Sequence, residues 1–292
     1  MLDFRVETFL AVCRHMNFTK AARELNITQP AVSHHMHYLE QAYGTALFQH
    51  NGKRLQLTEA GEILRRTLMT MKHDEQHLQK RMQQVVSGTR DYSFGATLSV
   101  AEFMINEALG RFLRLHPDSH IQMQVADTKV LLSKLDSGEL DFAVVEGDFP
   151  KAEYDFFVFG TEEYVAAGDP EKAARYRGRP LLLREEGSGT RVILEYYLKE
   201  HGLAAADFAR TVEIGNIGAI KTLLKSGYGV SFLYRAAIRP EEAAGALGVI
   251  ELSDFELRHD IMFLFPKNSN FRADYTTIFR ELRACAEETG GA

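Results

Sequence analysis

The sequence predicts an α/β chain in three parts: a small helical head closed by a hairpin, one long helix, and a larger body of alternating strands and helices. Three observations carry this. Apolar residues recur at helical spacing in short runs before residue 44, the stretch from Thr58 to about Val86 holds no Pro and only Gly61, and β-rich runs alternate with helical ones from residue 89 onward. The 292 residues, 45% hydrophobic and 25% charged, suit two or three such parts, each with a core of its own.

In the head, Val6, Phe9, Leu10 and Cys13 mark a first helix that ends near Asn17. A short second helix follows, with Thr19 as its expected cap and a small face of Ala21, Ala22 and Leu25, before a turn at Asn26-Ile27. Thr28 caps a third helix with Gln29 and Pro30 in its first turn, where a missing N–H does no harm. Val32, Met36, Leu39 and Tyr43 share one face of it; Pro30, Ser33, His34, His37 and Gln41 share the opposite one. Two helices joined by a tight turn, the second polar outside, make the helix-turn-helix arrangement that lays a recognition helix in the major groove. Gly44 ends the third helix, and Asn51-Gly52 between two alternating runs predicts a hairpin, or wing. Lys53 and Arg54 beside the turn are placed to touch phosphate or the minor groove. The domain is read as residues 1–57, with Thr28, Gln29, Pro30, Ser33, His34, His37, Lys53 and Arg54 as DNA contacts. Spacing alone leaves open any small α+β domain with solvated cations.

Charge divides in the same way. Residues 1–90 hold 12 Lys+Arg and 8 Asp+Glu, the rest 22 and 32, so a mildly basic head (+4) sits on an acidic body (−10). Such asymmetry is expected when only the head meets nucleic acid. No run approaches the ~20 apolar residues of a membrane helix, and Asp3, Arg5 and Glu7 interrupt the N-terminus where an export signal needs an apolar core. The reading is therefore cytoplasmic, with no membrane partner. Cys13 and Cys285 stand near opposite ends and form neither a disulfide framework nor a metal cluster.

Phe9-Leu10-Ala11-Val12, Phe18 to Leu25, Thr28-Gln29-Pro30-Ala31-Val32-Ser33, Leu39-Glu40, Leu47-Phe48 and Leu57-Thr58-Glu59-Ala60-Gly61 together form a specific set. On these motifs the chain resembles the LysR-type transcriptional regulators, densely to about residue 62 and more loosely beyond. Two departures stand out: His34, His35 and His37 replace the basic residues usual after the serine, and His50 stands where the wing usually carries Arg.

The long helix is read as a linker over residues 58–88. Leu64, Leu68, Met71, Glu75, Leu78, Met82 and Val85 are spaced 4, 3, 4, 3, 4, 3, a heptad seam with one charged interruption. An amphipathic helix lying on its own domain is the alternative. The resemblance implies a coiled coil, hence a homodimer through residues 58–86, and pairing of dimers into a homotetramer through the bodies.

In the body, residues 89–292, the best strand candidates are Tyr92–Ala96, His120–Ala126, Phe142–Val145, Leu181–Leu183, Gly229–Leu233 and His259–Phe265. The helical candidates are Val100–Leu115, Val130–Ser137, Thr190–His201, Ile217–Ser226 and Phe271–Ala286. Such alternation argues for open sheets that bind ligands at their strand ends. The resemblance implies two lobes of periplasmic-binding-protein type, lobe 1 about 89–161 and 267–292, lobe 2 about 162–266. The chain would cross near Gly160 to Ala167 and return near Phe265 to Lys267, with an effector between the lobes.

Polar stretches follow three strands: Gly95 to Ser99, Ala126-Asp127-Thr128, and Arg184 to Arg191. Glycine backbone, hydroxyl donors and helix N-termini favour negative charge. The predicted effector is a small anion, held by Thr97, Ser99, Thr128, Ser188, Gly189, Thr190, Arg191 and Asn216. Arg191 can instead pair with Glu195 one turn on, and Glu146 would either oppose an anion or serve the hinge or a salt bridge.

A hydrolase or transferase using Ser188 is the competing class, but Glu186 occupies the first position of the Gly-x-Ser-x-Gly frame. A solute-binding protein without regulatory role is a third. His116, His120, His201 and His259 lack partners at metal spacing, so no catalytic residue, metal or cofactor is assigned. Cys285 is the body's lone cysteine, which excludes a disulfide switch within one body.

Overall fold

The computed structural model describes residues 3–52, 54–169, 171, 176–252 and 257–287. Helix α1 (Phe4–His15) starts at Asp3, whose carboxylate accepts from the Arg5 amide at 2.8 Å. Helix α2 (Phe18–Glu24) is capped by Asn17 rather than by Thr19. Asn17 has the extended backbone a cap needs and accepts from the Lys20 amide at 2.9 Å, whereas Thr19 is already helical. Helix α3 (Gln29–Tyr43) begins at Thr28 and stops at Gly44 (φ 67°). Val32, Met36 and Leu39 reach the head core; Tyr43, expected beside them, is exposed. Strands β1 (Phe48–Asn51) and β2 (Arg54–Leu57) form the hairpin.

Helix α4 (Glu59–Ser87) is 29 residues long, about 44 Å at 1.5 Å per residue. Gly61 joins it to the head: a Cβ there would lie 2.1 Å from the Leu47 carbonyl oxygen, so only glycine permits the approach. The predicted seam divides in two. Leu64 and Leu68 are buried in the head core, because the first turns of α4 pack on α1 and β2. Met71, Leu78, Met82 and Val85 remain exposed. A second face of α4 docks on the body. Asp74 accepts from the Ser269 hydroxyl at 2.5 Å and from the Asn270 amide at 2.9 Å, and the His73 Nε2 lies 2.8 Å from the Leu140 carbonyl oxygen. His77 stands between Asp141 (3.5 Å) and Asp274 (3.3 Å).

The body runs β3 (Arg90–Ala96), α5 (Leu98–Phe103), α6 (Asn106–Leu115), β4 (Ser119–Val125), α7 (Thr128–Ser137), β5 (Phe142–Val145), β6 (Tyr154–Gly168), β7 (Pro180–Leu183), α8 (Gly189–Glu200), β8 (Arg210–Glu213), α9 (Ile217–Lys225), β9 (Val230–Tyr234), α10 (Arg235–Ala243), β10 (Gly248–Val249), β11 (Leu257–Pro266) and α11 (Arg272–Glu287). The helix expected over Val100–Leu115 is two. The Asn106 side chain donates to the Glu102 carbonyl at 2.8 Å, and this competes with the backbone ladder at the break.

One sheet of order β4-β3-β5-β11-β6-β9-β7-β8 spans both lobes, with β10 on β6. Within each lobe the strands β3, β4, β5 and β7, β8, β9 pair in parallel; β6 and β11 join the lobes as a long antiparallel pair. The expected return at Phe265 to Lys267 lies past the crossing. Register shifts between Ile261 and Met262, and Met262, Phe263 and Leu264 already pair with β5, so residues 262–266 belong with lobe 1. Phe94, Phe142 and Phe263 stack at 4.9 and 4.5 Å in a core that continues through Leu181, Phe232 and Tyr234 into lobe 2. No helix among the described residues is long and apolar enough to cross a membrane.

Candidate functional site

Helix α3 presents Thr28, Gln29, Pro30, His34 and His37 to solvent, with Ser33 half-buried. The Gln29 amide donates to the Ser33 hydroxyl at 2.9 Å, so these two side chains orient each other one turn apart. The Gln41 amide and His37 Nε2 lie 3.0 Å apart on the same surface. His35 turns inward, its Nδ1 2.9 Å from the Thr8 hydroxyl and its ring edge-on to Phe4, where burial lowers its pKa. Arg54 is exposed on the wing opposite Asn51; Lys53 lies outside the described residues.

The polar stretches of the body converge from two lobes. Thr97 and Ser99, before and within α5, and Ser188 and Thr190, at the start of α8, are all buried, and Thr128 is half-buried at the start of α7. The Ser99 hydroxyl faces the Glu146 carboxyl, and among the described residues those of Ser188 and Thr190 have no hydrogen-bond partner. Buried donors of this kind are rare in native proteins and ask for an acceptor. The Thr128 hydroxyl donates to the Glu146 carbonyl at 3.3 Å, and the Thr97 hydroxyl donates to the Glu146 carboxylate.

Two predicted members stand apart. Arg191 donates to Glu195 at 2.7 Å and to Glu213 at 2.6 Å, and its remaining contact is the Arg184 carbonyl at 3.2 Å. Two carboxylates therefore already engage its guanidinium. Asn216 is exposed and caps α9, its side chain accepting from the Ala219 amide at 2.9 Å, so its oxygen is already committed.

Residues 5–62 match the family described as bacterial regulatory helix-turn-helix protein, lysR family, and residues 88–285 match the LysR substrate binding domain. The chain belongs to the LysR family of transcriptional regulators. It is similar over 98% of its length, at 29% identity, to the RuBisCO operon transcriptional regulator of Acidithiobacillus ferrooxidans, 94% of which is covered. The transcriptional activator CmpR of Synechocystis is 28% identical over 90% of this chain and 88% of its own. The fold is shared with full-length LysG of Corynebacterium glutamicum with bound effector Arg (TM-score 0.64, 18% identity, 99% of both chains). It is also shared with the Synechocystis CcmR regulatory domain in complex with 2-PG (TM-score 0.59, 18% identity, 68% of this chain and 98% of that one).

Sequence reasoning on this LysR-type regulator undervalued Glu146. It is 2% exposed, and burial pushes its carboxyl up to about 7, against the lowering influence of Arg184. Arg184, buried at the end of β7, is bound to Glu185 by two hydrogen bonds of 2.7 and 2.6 Å. Its position in the Arg184 to Arg191 stretch was the available signal. In the head, Lys20 and Arg23 on α2 are exposed and supply positive charge beside α3. Among the described residues no group of three His, Cys, Asp or Glu side chains is placed to hold a metal ion.

Proposed function

We propose that this regulator responds to a small anion bound between its lobes by Thr97, Ser99, Thr128, Ser188, Gly189 and Thr190. The observation that carries the reading is the pair of unpartnered buried hydroxyls on Ser188 and Thr190 of lobe 2, beside Glu146, the partner of Thr97 and Ser99 in lobe 1. The start of α8 adds backbone donors and the positive end of a twelve-residue helix. A ligand that needs donors from both lobes binds the closed arrangement better than the open one, and that difference is what shifts the equilibrium. The structurally similar CcmR domain is described in complex with 2-PG and LysG with Arg, which supports effector control in this architecture.

The proposal extends to the oligomer and the DNA. Residues 1–57 bind duplex DNA through Thr28, Gln29, Pro30, Ser33, His34, His37, Lys53 and Arg54. Two copies associate through the exposed half of α4, and the bodies pair dimers into tetramers. The chain works in the cytoplasm by binding, without catalysis. A thermal-shift series with sulfate, oxalate and 2-PG, paired with mobility shifts on DNA from upstream of its own gene, tests the reading. We expect stabilisation by at least one anion, lost in Ser188→Ala and Thr190→Val, and an anion-dependent change in the DNA complex. Stabilisation that survives both substitutions would refute the pocket.

A further inference from the structure

The Glu146 carboxyl lies within the proposed anion site. It follows β5 in lobe 1, and the Thr97 hydroxyl donates to its Oε2. From lobe 2, Gly189 approaches so closely that a Cβ there would fall 3.2 Å from both Cγ and Oε1 of Glu146. The side chain thus reaches across the cleft to the first residue of α8, beside the unpartnered hydroxyls of Ser188 and Thr190. A glycine at 189 leaves room for this carboxyl, and any side chain there would press on it.

Resting on the reading of this cleft as an anion site, we propose that Glu146 is its built-in occupant and specificity-determining residue, and that an effector anion takes its seat only together with a proton on Glu146. Two negative charges in one water-poor site repel strongly, and the cheapest relief is to neutralise one. The proton comes from solvent onto a carboxylate oxygen of Glu146, which then becomes a hydrogen-bond donor. The groups facing this carboxyl divide in their influence. Thr97 ahead of α5 and Ser99 on it carry no charge, and the Ser99 hydroxyl, as a hydrogen-bond donor, favours the ionised form. Asp127, ahead of α7, favours the protonated form; Arg184, at the end of β7, favours the ionised form but is shared with Glu185. Tyr164 on β6 and Tyr234 on β9 are phenols that burial keeps protonated. Burial outweighs Arg184, and the carboxyl is pushed up to about 7, so the proton is accessible near neutrality.

The test uses sulfate and oxalate, whose own charge is constant between pH 6.5 and 8.5, on the full chain by calorimetry and thermal shift. Wild-type affinity should fall about tenfold for each pH unit above 7, and binding at pH 8 should take up close to one proton, read from two buffers of different ionisation enthalpy. Glu146→Gln should bind with the same affinity across the range, and more tightly than wild type at pH 8.5. If the anions bind wild type without pH dependence or proton uptake, the inference about Glu146 falls and the anion site stands. If no anion shifts either protein at any pH, both fall. Should Glu146→Gln fail to fold, proton uptake by the wild type decides alone.

Discussion

The Tyr164 hydroxyl donates to the Thr190 carbonyl oxygen at 2.6 Å, so the strand that joins the lobes also holds the first turn of α8. Both residues are buried, and Tyr164 packs edge-on against Tyr234 of β9. The hydrogen bond couples lobe geometry to the placement of the Thr190 and Ser188 hydroxyls. Tyr164→Phe keeps the packing and removes the donor, which should lower stability by about 1 to 2 kcal/mol. Affinity for a stabilising anion should fall with it, while DNA binding by the head persists. Urea unfolding and calorimetry read the two effects, and an unchanged anion affinity would show that the tether does not position the pocket.

On α3, the Gln29 to Ser33 hydrogen bond predicts shared behaviour in DNA recognition. Gln29→Ala frees the Ser33 hydroxyl from its partner, so either single substitution should relax sequence preference at the same base positions, by about 1 to 3 kcal/mol per contact. Arg54→Ala should instead weaken binding on every sequence and reduce the salt slope by about one. Competition assays on a set of point-mutated operators separate the two patterns. Non-overlapping positions for Gln29 and Ser33 would break the pairing.

How much of this was legible in the sequence depends on how local each determinant is. Thr28, Gly44, Asn51-Gly52 and Thr58 announced α3, the hairpin and α4, because caps and turns are read by side chains within a few residues. The strands β5 and β7 were visible as short apolar runs. The strand β6 was read only as a crossing and not as fifteen residues of sheet, because its partner β11 is about a hundred residues away and Asp155, Glu162 and Glu163 interrupt its pattern. Strand β8 and helix α10 went unread for the same reason: their burial is set by tertiary neighbours. In the pocket, hydroxyls and glycine at strand ends were readable, whereas the outward turn of Arg191 and the inward reach of Glu146 follow from which carboxylate or backbone happens to lie opposite.

The divided seam of α4 changes which substitutions test the dimer. Leu68 is 4% exposed within the head core, so Leu68→Asp should unfold the head and abolish DNA binding whatever the oligomeric state. Leu78 and Met82 are 50% and 64% exposed and lie on the more exposed half of the helix. Leu78→Asp with Met82→Asp should therefore halve the sedimenting mass with little change in the far-UV spectrum. An unaltered mass would move the interface to another surface.

His73 predicts how acid loosens the linker from the body. Its Nε2 lies 2.8 Å from the Leu140 carbonyl oxygen, so Nε2 carries the proton, and Nδ1 faces the Tyr275 hydroxyl at 3.4 Å. Burial holds the imidazole neutral by lowering its pKa to about 4. The unfolded chain takes up a proton at this residue below about pH 6.5, and the folded chain does not until about pH 4. Stability is therefore lost as pH falls from 6.5 towards 4, by up to about 3 kcal/mol from this residue. Asp136 and Glu146 act in the opposite sense, since burial raises them to about 6 and about 7 and the fold then loses stability as pH rises from their unfolded values near 4 to those values. The whole-protein curve mixes these slopes, so the informative quantity is the difference between wild type and His73→Gln, which keeps a donor for Leu140 and cannot titrate. Urea midpoints at pH 4.5, 5.5, 6.5 and 7.5 should converge in acid, as the wild type loses its advantage. Because His73, Asp74 and His77 are the buried contacts of α4 on lobe 1, the same loss should free the head relative to the body. Protection of α4 from hydrogen exchange should then drop in the wild type below pH 6 and hold in His73→Gln, and equal protection in the two would place the acid-sensitive contact elsewhere.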